Sequence, residues 1–189
     1  MKHWCRDRTA GAWLFGAVLW AVAAGVAVAD APTAGVAFVA WELVWIAAHL
    51  ALLVGLIGLA SHRPAGRSRP AAVGLAVATL GRVVFIVAEL DSVRTTSEES
   101  PLLPVGALLT VAGMLVTGVA VVRARRWDSW RRFTPPAVGV YPLVLMFPFI
   151  AVTGEPNLVA IGGWAVTYAM VGVAGSPSIS GGASLKHPG

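Results

Sequence analysis

Long apolar stretches alternate with short polar ones along most of the chain. Stretches of about 18 or more mainly apolar residues are long enough to cross a bilayer as helices. Six such stretches occur: 11–29, 36–60, 71–90, 102–122, 136–153 and 157–174. The pattern predicts an all-α polytopic membrane protein with six transmembrane helices, arranged as three consecutive hairpins. These form one transmembrane domain over residues 1–174, and the Gly/Ser/Pro-rich residues 175–189 are predicted to be a disordered cytoplasmic tail.

Composition agrees with a membrane protein. Hydrophobic residues make up 57% of the chain and charged residues 12%, against roughly 25% charged in soluble domains. The net charge of +5 does not indicate nucleic-acid binding, because the basic residues fall between apolar stretches instead of forming a basic face on a soluble fold. A single cysteine, Cys5, excludes an internal disulfide framework.

Positive charges predict the orientation, because Lys and Arg are retained on the cytoplasmic side. Almost all of them fall before the first span or after an even-numbered one: Lys2, Arg6, Arg8, Arg63, Arg67, Arg69, Arg123, Arg125, Arg126, Arg131, Arg132 and Lys186. The opposite loops carry one arginine and five acidic residues: Arg94, Asp30, Asp91, Glu98, Glu99 and Glu155. We therefore expect both termini to be cytoplasmic and the protein to lie in the cell inner (plasma) membrane.

The N-terminal segment has a second interpretation. A basic start followed by an apolar stretch ending in Ala27–Ala29 also resembles a signal peptide with an A-x-A cleavage site. The apolar stretch, residues 11–29, is longer than the roughly 7–15 residues of a signal core. Cleavage would leave five spans, and the sequence leaves this alternative open.

A basic, tryptophan-containing segment joins the fourth and fifth spans. It is predicted to lie in the headgroup layer of the cytoplasmic face, with arginines on anionic lipid headgroups and indoles at the interface. Its candidate lipid-interface residues are Arg123, Arg125, Arg126, Trp127, Trp130, Arg131 and Arg132. Recruitment of an acidic cytoplasmic partner is the alternative. Pro135 and Pro136 fit the start of the next helix.

Two features within the spans concern helix packing. In the fourth span, small residues recur on one side: Gly106, Thr110, Gly113 and Thr117. Such a stripe lets a neighbouring helix approach closely, and its alternative interpretation is a substrate path. In the fifth span, Pro142 and Pro148 each remove a backbone donor and are expected to kink the helix.

Four ionisable residues lie within the spans, and they are the strongest functional candidates. Glu42 and His49 are seven residues apart in the second span, with Trp45 on the same side, and Arg82 and Glu89 have the same spacing in the third. Intramembrane charges are costly, so they normally face the interior of the bundle and find partners. The sequence therefore predicts one buried polar site between these two spans.

Depth in the membrane predicts a partner for Glu42. Glu42 lies six residues, roughly 9 Å, from the start of its span, and Arg82 lies eight residues, roughly 12 Å, from the end of the next span. Because these spans are predicted to be antiparallel neighbours, we expect a Glu42–Arg82 ion pair, with Glu89 nearer the outer surface and His49 one to two turns deeper.

Several chemistries are compatible with this predicted site. It could bind or transport a small molecule or ion, handle protons, or only fasten two helices. A metal site is not predicted, because Glu42 and His49 lie about 10 Å apart along one helix and cannot share an ion. A haem is not predicted either, since His3, His62 and His187 lie outside the spans, and no cofactor is expected.

Two resemblances add to this interpretation. The stretch RRFTPPAVGVYPLVLMFPFIAVTGEPNLVAIGGWAVTYAMVGVA, with the rest of the layout, resembles small multi-pass integral membrane proteins of high-GC actinobacteria, a group that brings no established activity. Ala40–Glu42, AWE, resembles the Trp-Glu of small integral-membrane terpene cyclases, which implies Glu42 as general acid beside Trp41, Trp45 and Trp164. A binding or transport-like module is therefore the leading hypothesis. An enzyme and a scaffold without chemistry are the alternatives.

Overall fold

The structure is a computed structural model that describes residues 2–96 and 100–176. These residues form helices joined by short turns and loops. The α-helices are α1 (Lys2–Asp30), α2 (Gly35–His62), α3 (Arg69–Thr95), α4 (Leu102–Ala124), α5 (Thr134–Tyr141), α6 (Phe147–Thr153) and α7 (Leu158–Gly175). A 3₁₀ turn, Ser129–Phe133, precedes α5, and a π-helical turn, Pro142–Met146, joins α5 to α6.

Among the described residues, six helical segments are long and apolar enough to cross a membrane. They are Arg8–Asp30, Gly35–His62, Arg69–Thr95, Leu102–Ala124, Ser129–Thr153 and Leu158–Gly175. Each coincides with one of the stretches predicted from the sequence, so the prediction of an all-helical chain with six helices able to cross a membrane is confirmed. The predicted tail beyond residue 176, and the loop residues Glu98 and Glu99, lie outside the described residues.

The fifth span is irregular where its prolines lie. Its α-helical hydrogen bonding stops at Tyr141, and the π-helical turn begins at Pro142. Pro148 then lies in the first turn of α6, directly after the π-helical turn. The two prolines therefore divide this span into α5 and α6, as their loss of backbone donors predicts.

The small-residue stripe of α4 packs against a matching stripe of α3. A Cβ atom added at Gly113 would lie 2.5 Å from the carbonyl oxygen of Gly74 and would also contact the backbone of Ala78. One added at Gly81 would lie 2.7 Å from the backbone nitrogen of Thr110. Both distances are too short for any side chain, so the stripe serves as a helix contact.

The spans form a closed ring. α1 packs against α2, α2 against α3, α3 against α4, α4 against α5, and α5 against α7, which in turn packs extensively against α1. The first and last helices therefore meet. Side chains on the inner faces of α1, α2, α3 and α7 share one core, and the polar residues of α2 and α3 point into it.

Contacts between loops define one end of this ring. The guanidinium of Arg126 lies over Gly66 in the α2–α3 loop, 3.0 Å from the position that a Cβ atom would take there. Arg131 donates to the carbonyl oxygens of Ala174 and Ser176 at the end of α7, at 3.4 and 3.3 Å. We call this the arginine-rich end; it holds Arg63, Arg67, Arg69, Arg123, Arg125, Arg126, Arg131 and Arg132.

Candidate functional site

All five residues of the predicted polar site are buried inside the ring. Glu42, Trp45 and His49 lie on the inner face of α2, and Arg82 and Glu89 on that of α3. The spacing of seven residues in both helices places each pair on one face, since seven residues make nearly two turns. His49 has no exposed surface, and Arg82 only 1%.

Arg82 is hydrogen-bonded to two other helices. Its guanidinium donates to Nδ1 of His49 on α2 at 3.2 Å and to the hydroxyl of Tyr168 on α7. The three residues come from α2, α3 and α7, so a single side chain of α3 contacts both the neighbouring helix α2 and, across the interior of the ring, α7. Hydrogen bonds from a charged donor are the stronger ones in proteins.

Aromatic rings enclose the same guanidinium. Its Cζ atom lies 4.8 Å from the ring centre of Tyr168, and 5.4 Å from those of Trp20, Phe85 and Trp164. A cation within about 6 Å of an aromatic face is attracted by the ring quadrupole, more strongly where water is excluded. The charge of Arg82 is thus held by rings from α1, α3 and α7.

His49 connects Arg82 to an acidic residue. Arginine only donates hydrogen bonds, so Nδ1 of His49 must be the acceptor and carry no proton. In a neutral imidazole the proton then lies on Nε2, which is 3.4 Å from Oε1 of Glu89. The ring also stacks on Phe85, with centres 4.5 Å apart and planes 16° apart. A neutral His49 therefore lies between the guanidinium of Arg82 and the carboxyl group of Glu89.

Helix register bears on the predicted Glu42–Arg82 ion pair. His49 stacks on Phe85, so these residues lie at one level. Glu42 lies about 10 Å from His49 along α2, away from the arginine-rich end, whereas Arg82 lies on the other side of Phe85, towards that end. The partners described for Arg82 are His49 and Tyr168. The ion pair with Glu42 stays a prediction.

Two members of the site were not predicted from the sequence. Trp20 of α1 packs edge-on against Trp45 and His49, with ring centres 4.9 and 5.2 Å apart, and its indole donates to the carbonyl oxygen of Ile161. Tyr168 supplies the second acceptor for Arg82. A signal for it existed, because it is one of only two tyrosines and its hydroxyl falls inside an apolar span.

Three further observations concern the chemistry that is available to this site. Arginine does not give up its proton in proteins, so a proton passing from Glu89 through His49 would stop at Arg82. Within residues 8–96 and 100–176, no three His, Cys, Asp or Glu side chains lie close enough to hold a metal ion. A groove of about 860 Å³ is present in the structure, but none of the five predicted site residues lines it.

The predicted lipid-interface residues divide into two groups. Arg123, Arg125, Arg126 and Trp130 are exposed at the arginine-rich end. Trp127, Arg131 and Arg132 are partly buried, and Trp127 packs against an apolar cluster of Ala65, Ala71, Ala120 and Val121. Part of this segment therefore packs on the ring itself.

The function has to be inferred from these side chains. No family model, no curated protein and no solved structure matches this chain. The roles of His49, Arg82, Glu89 and Tyr168, which we call the polar cluster, therefore follow from their geometry and chemistry.

Proposed function

We propose that the protein is a multi-pass membrane scaffold in which the polar cluster fastens the helices and performs no chemistry. The enclosure of Arg82 carries this proposal. Its guanidinium donates to His49 and Tyr168, lies within 5.4 Å of the centres of four aromatic rings and belongs to a residue that is 1% exposed, so a substrate has little access to it.

Charge balance supports the same proposal. A buried charge lowers stability unless it is paired and hydrogen-bonded, and removal of one partner of a buried pair costs about 3–5 kcal/mol. Glu89 and Arg82 compensate each other through His49. Each side chain therefore favours the helix arrangement in which the others keep their hydrogen bonds and their charge compensation. This selects one register between α2, α3 and α7.

The two alternatives from the sequence receive less support. A terpene-cyclase-like enzyme requires an aromatic-lined pocket at Glu42, and a transport-like module requires a path leading to it. The described groove lies on another surface, at the arginine-rich end, and no aromatic side chain lines it. Glu42 itself is 1% exposed.

Orientation follows from the same charges as in the sequence. We propose that the arginine-rich end faces the cytoplasm, because Lys and Arg are retained there, and that the spans form three hairpins with both termini on that side. The exposed members of the interface segment would then contact anionic headgroups of the inner (plasma) membrane.

A ligand-dependent stability screen tests the scaffold proposal against its alternatives. A ligand at one hundred times its dissociation constant stabilises by about 2.7 kcal/mol, which corresponds to a rise of about 5–11 °C in the melting temperature of a chain of this size. We expect no such rise with isoprenoids, small carboxylates or metal cations, for the purified protein in neutral detergent.

Glu42→Gln, with Glu155→Gln as the control, makes the screen decisive. Glu155 is an exposed carboxylate outside the ring. A ligand that raises the melting temperature of the wild-type protein and of Glu155→Gln, but not of Glu42→Gln, would overturn the scaffold proposal. It would favour an enzyme if the ligand is an isoprenoid, and a transport-like module if it is an ion or a polar solute.

A further inference from the structure

A groove runs along the outside of the ring between α2 and α3. Its volume is about 860 Å³, within the range of pockets that hold small organic ligands. The end of α2, the α2–α3 loop and the first half of α3 line it. It lies outside the core that contains the polar cluster, so its occupant is independent of the scaffold proposal.

The chemistry of the groove changes along its length. Arg63, Arg67 and Arg69 line it at the arginine-rich end, and all three are exposed. Its other part is apolar and includes Ile57 and Leu80, whose side chains are more than half exposed on the surface of a membrane-spanning helix. The groove is therefore cationic at one end and apolar along the rest.

The cationic end has no acidic partner among the described residues. Asp and Glu are absent from the described lining of the groove. Among the residues that the structure describes, no carboxylate forms an ion pair with Arg63, Arg67 or Arg69. Arg126 adds a further positive charge beside this end, where it lies over Gly66. The charge of this end is complementary to an anionic group from outside the chain.

The length of the groove corresponds to one leaflet. From Arg69 to Val83, α3 rises by roughly 21 Å at 1.5 Å per residue. The hydrocarbon layer of one leaflet is about 15 Å thick, and its headgroup layer adds about 5–7 Å. A ligand whose anionic group contacts the arginines can therefore extend an acyl chain along the whole groove.

We propose that this groove binds one anionic phospholipid. The phosphate contacts Arg63, Arg67 and Arg69, and one acyl chain lies between α2 and α3 against Ile57, Leu80 and Val83. Attraction of a basic protein surface to an anionic membrane requires only positive charge. This site requires in addition the apolar groove and a lipid chain.

Native mass spectrometry of the detergent-purified protein tests the proposal by measuring the affinity for the first bound lipid. The probes are dioleoyl phosphatidylglycerol and dioleoyl phosphatidylcholine, which share acyl chains. We expect Arg67→Gln with Arg69→Gln to weaken phosphatidylglycerol binding about 30-fold, since each arginine near the membrane surface contributes about 1 kcal/mol. Arg123→Gln with Arg125→Gln removes the same charge outside the groove lining and is expected to weaken binding no more than about twofold, because screening limits its reach.

Two further binding measurements identify the ligand as a lipid. Ala76 is an exposed residue that lines the groove, so Ala76→Phe is expected to weaken phosphatidylglycerol binding about tenfold without lowering the melting temperature of the lipid-free protein. Inorganic phosphate at equal concentration is expected not to compete. Equal losses in the two arginine variants, equal binding of both lipids, full binding by Ala76→Phe, or competition by phosphate would each overturn the proposal.

Discussion

Tyr168→Phe provides the sharpest test of the polar cluster, because it removes one oxygen atom and keeps the ring. That oxygen accepts a hydrogen bond from Arg82. A hydrogen bond to a charged group is worth about 1.5–3 kcal/mol in soluble proteins, but bonds between membrane helices average about 0.6 and reach about 1.7. We therefore expect Tyr168→Phe to lower the free energy of unfolding by about 1–2 kcal/mol, which lowers the melting temperature by about 2–8 °C.

Arg82→Gln removes more interactions at once. It eliminates the hydrogen bonds to both His49 and Tyr168 and the attraction to four rings, and it removes the positive charge on the other side of His49 from Glu89. The expected loss is that of a broken buried pair, about 3–5 kcal/mol, or about 6–20 °C. Once Arg82→Gln has removed the guanidinium, the Tyr168 hydroxyl no longer has its hydrogen-bond donor, and removing the hydroxyl costs nothing more. The variant that combines Tyr168→Phe with Arg82→Gln should therefore lose the same stability as Arg82→Gln alone, within about 0.5 kcal/mol.

Tyr141→Phe is the matched control for this cycle. It also removes a tyrosine hydroxyl, which donates to the carbonyl oxygen of Ala160 at 2.9 Å and makes no described contact with Arg82. The stability lost in Tyr141→Phe should therefore add to the stability lost in Arg82→Gln. The measurement is thermal unfolding in detergent, followed by tryptophan fluorescence. Additive losses for Tyr168→Phe and Arg82→Gln would refute the structural role that we assign to their contact.

Three further predictions concern other parts of the ring. Gly113→Ala should lower stability by about 1–3 kcal/mol, because its Cβ atom would meet the backbone of α3, whereas Gly25→Ala, with nothing within 4 Å, should be neutral or stabilising in the same melting assay. If Glu42 and Arg82 form the ion pair predicted from the sequence, the double Gln variant should lose less stability than the sum of the single ones, and additivity would contradict that pair. Asn157→Ala should cost about 0.5–2 kcal/mol, since its side chain caps α7; an unchanged melting temperature would show that this cap contributes nothing.

The spans could be predicted because their signal is local. A run of apolar residues and its length are read directly from the chain, and each predicted stretch coincides with a helical segment long enough to cross a membrane. The spacing of Glu42 and His49, and of Arg82 and Glu89, likewise places each pair on one helix face without further information. The close α3–α4 contact followed from small residues in α4, because only small side chains permit such an approach.

The partners of Arg82 could not be predicted in the same way. Tyr168 is 86 residues away in the chain, and it reaches Arg82 because α7 packs between α5 and α1. The estimate of membrane depth used span boundaries that are uncertain by a few residues; it favoured Glu42 as a partner, which stays a prediction, and it gave no indication of His49 or Tyr168. A shift of one helix turn, about 5.4 Å, is enough to exchange one partner for another.

The sequence by itself determined the helical class, the six spans and the distribution of positive charge between loops, because these depend on how each segment partitions between water and lipid. Only the tertiary structure decided the partners of the buried charges, the aromatic enclosure of Arg82 and the groove between α2 and α3. Those features depend on the register and rotation of one helix against another. Register and rotation result from packing between residues far apart in the chain, which no local pattern records.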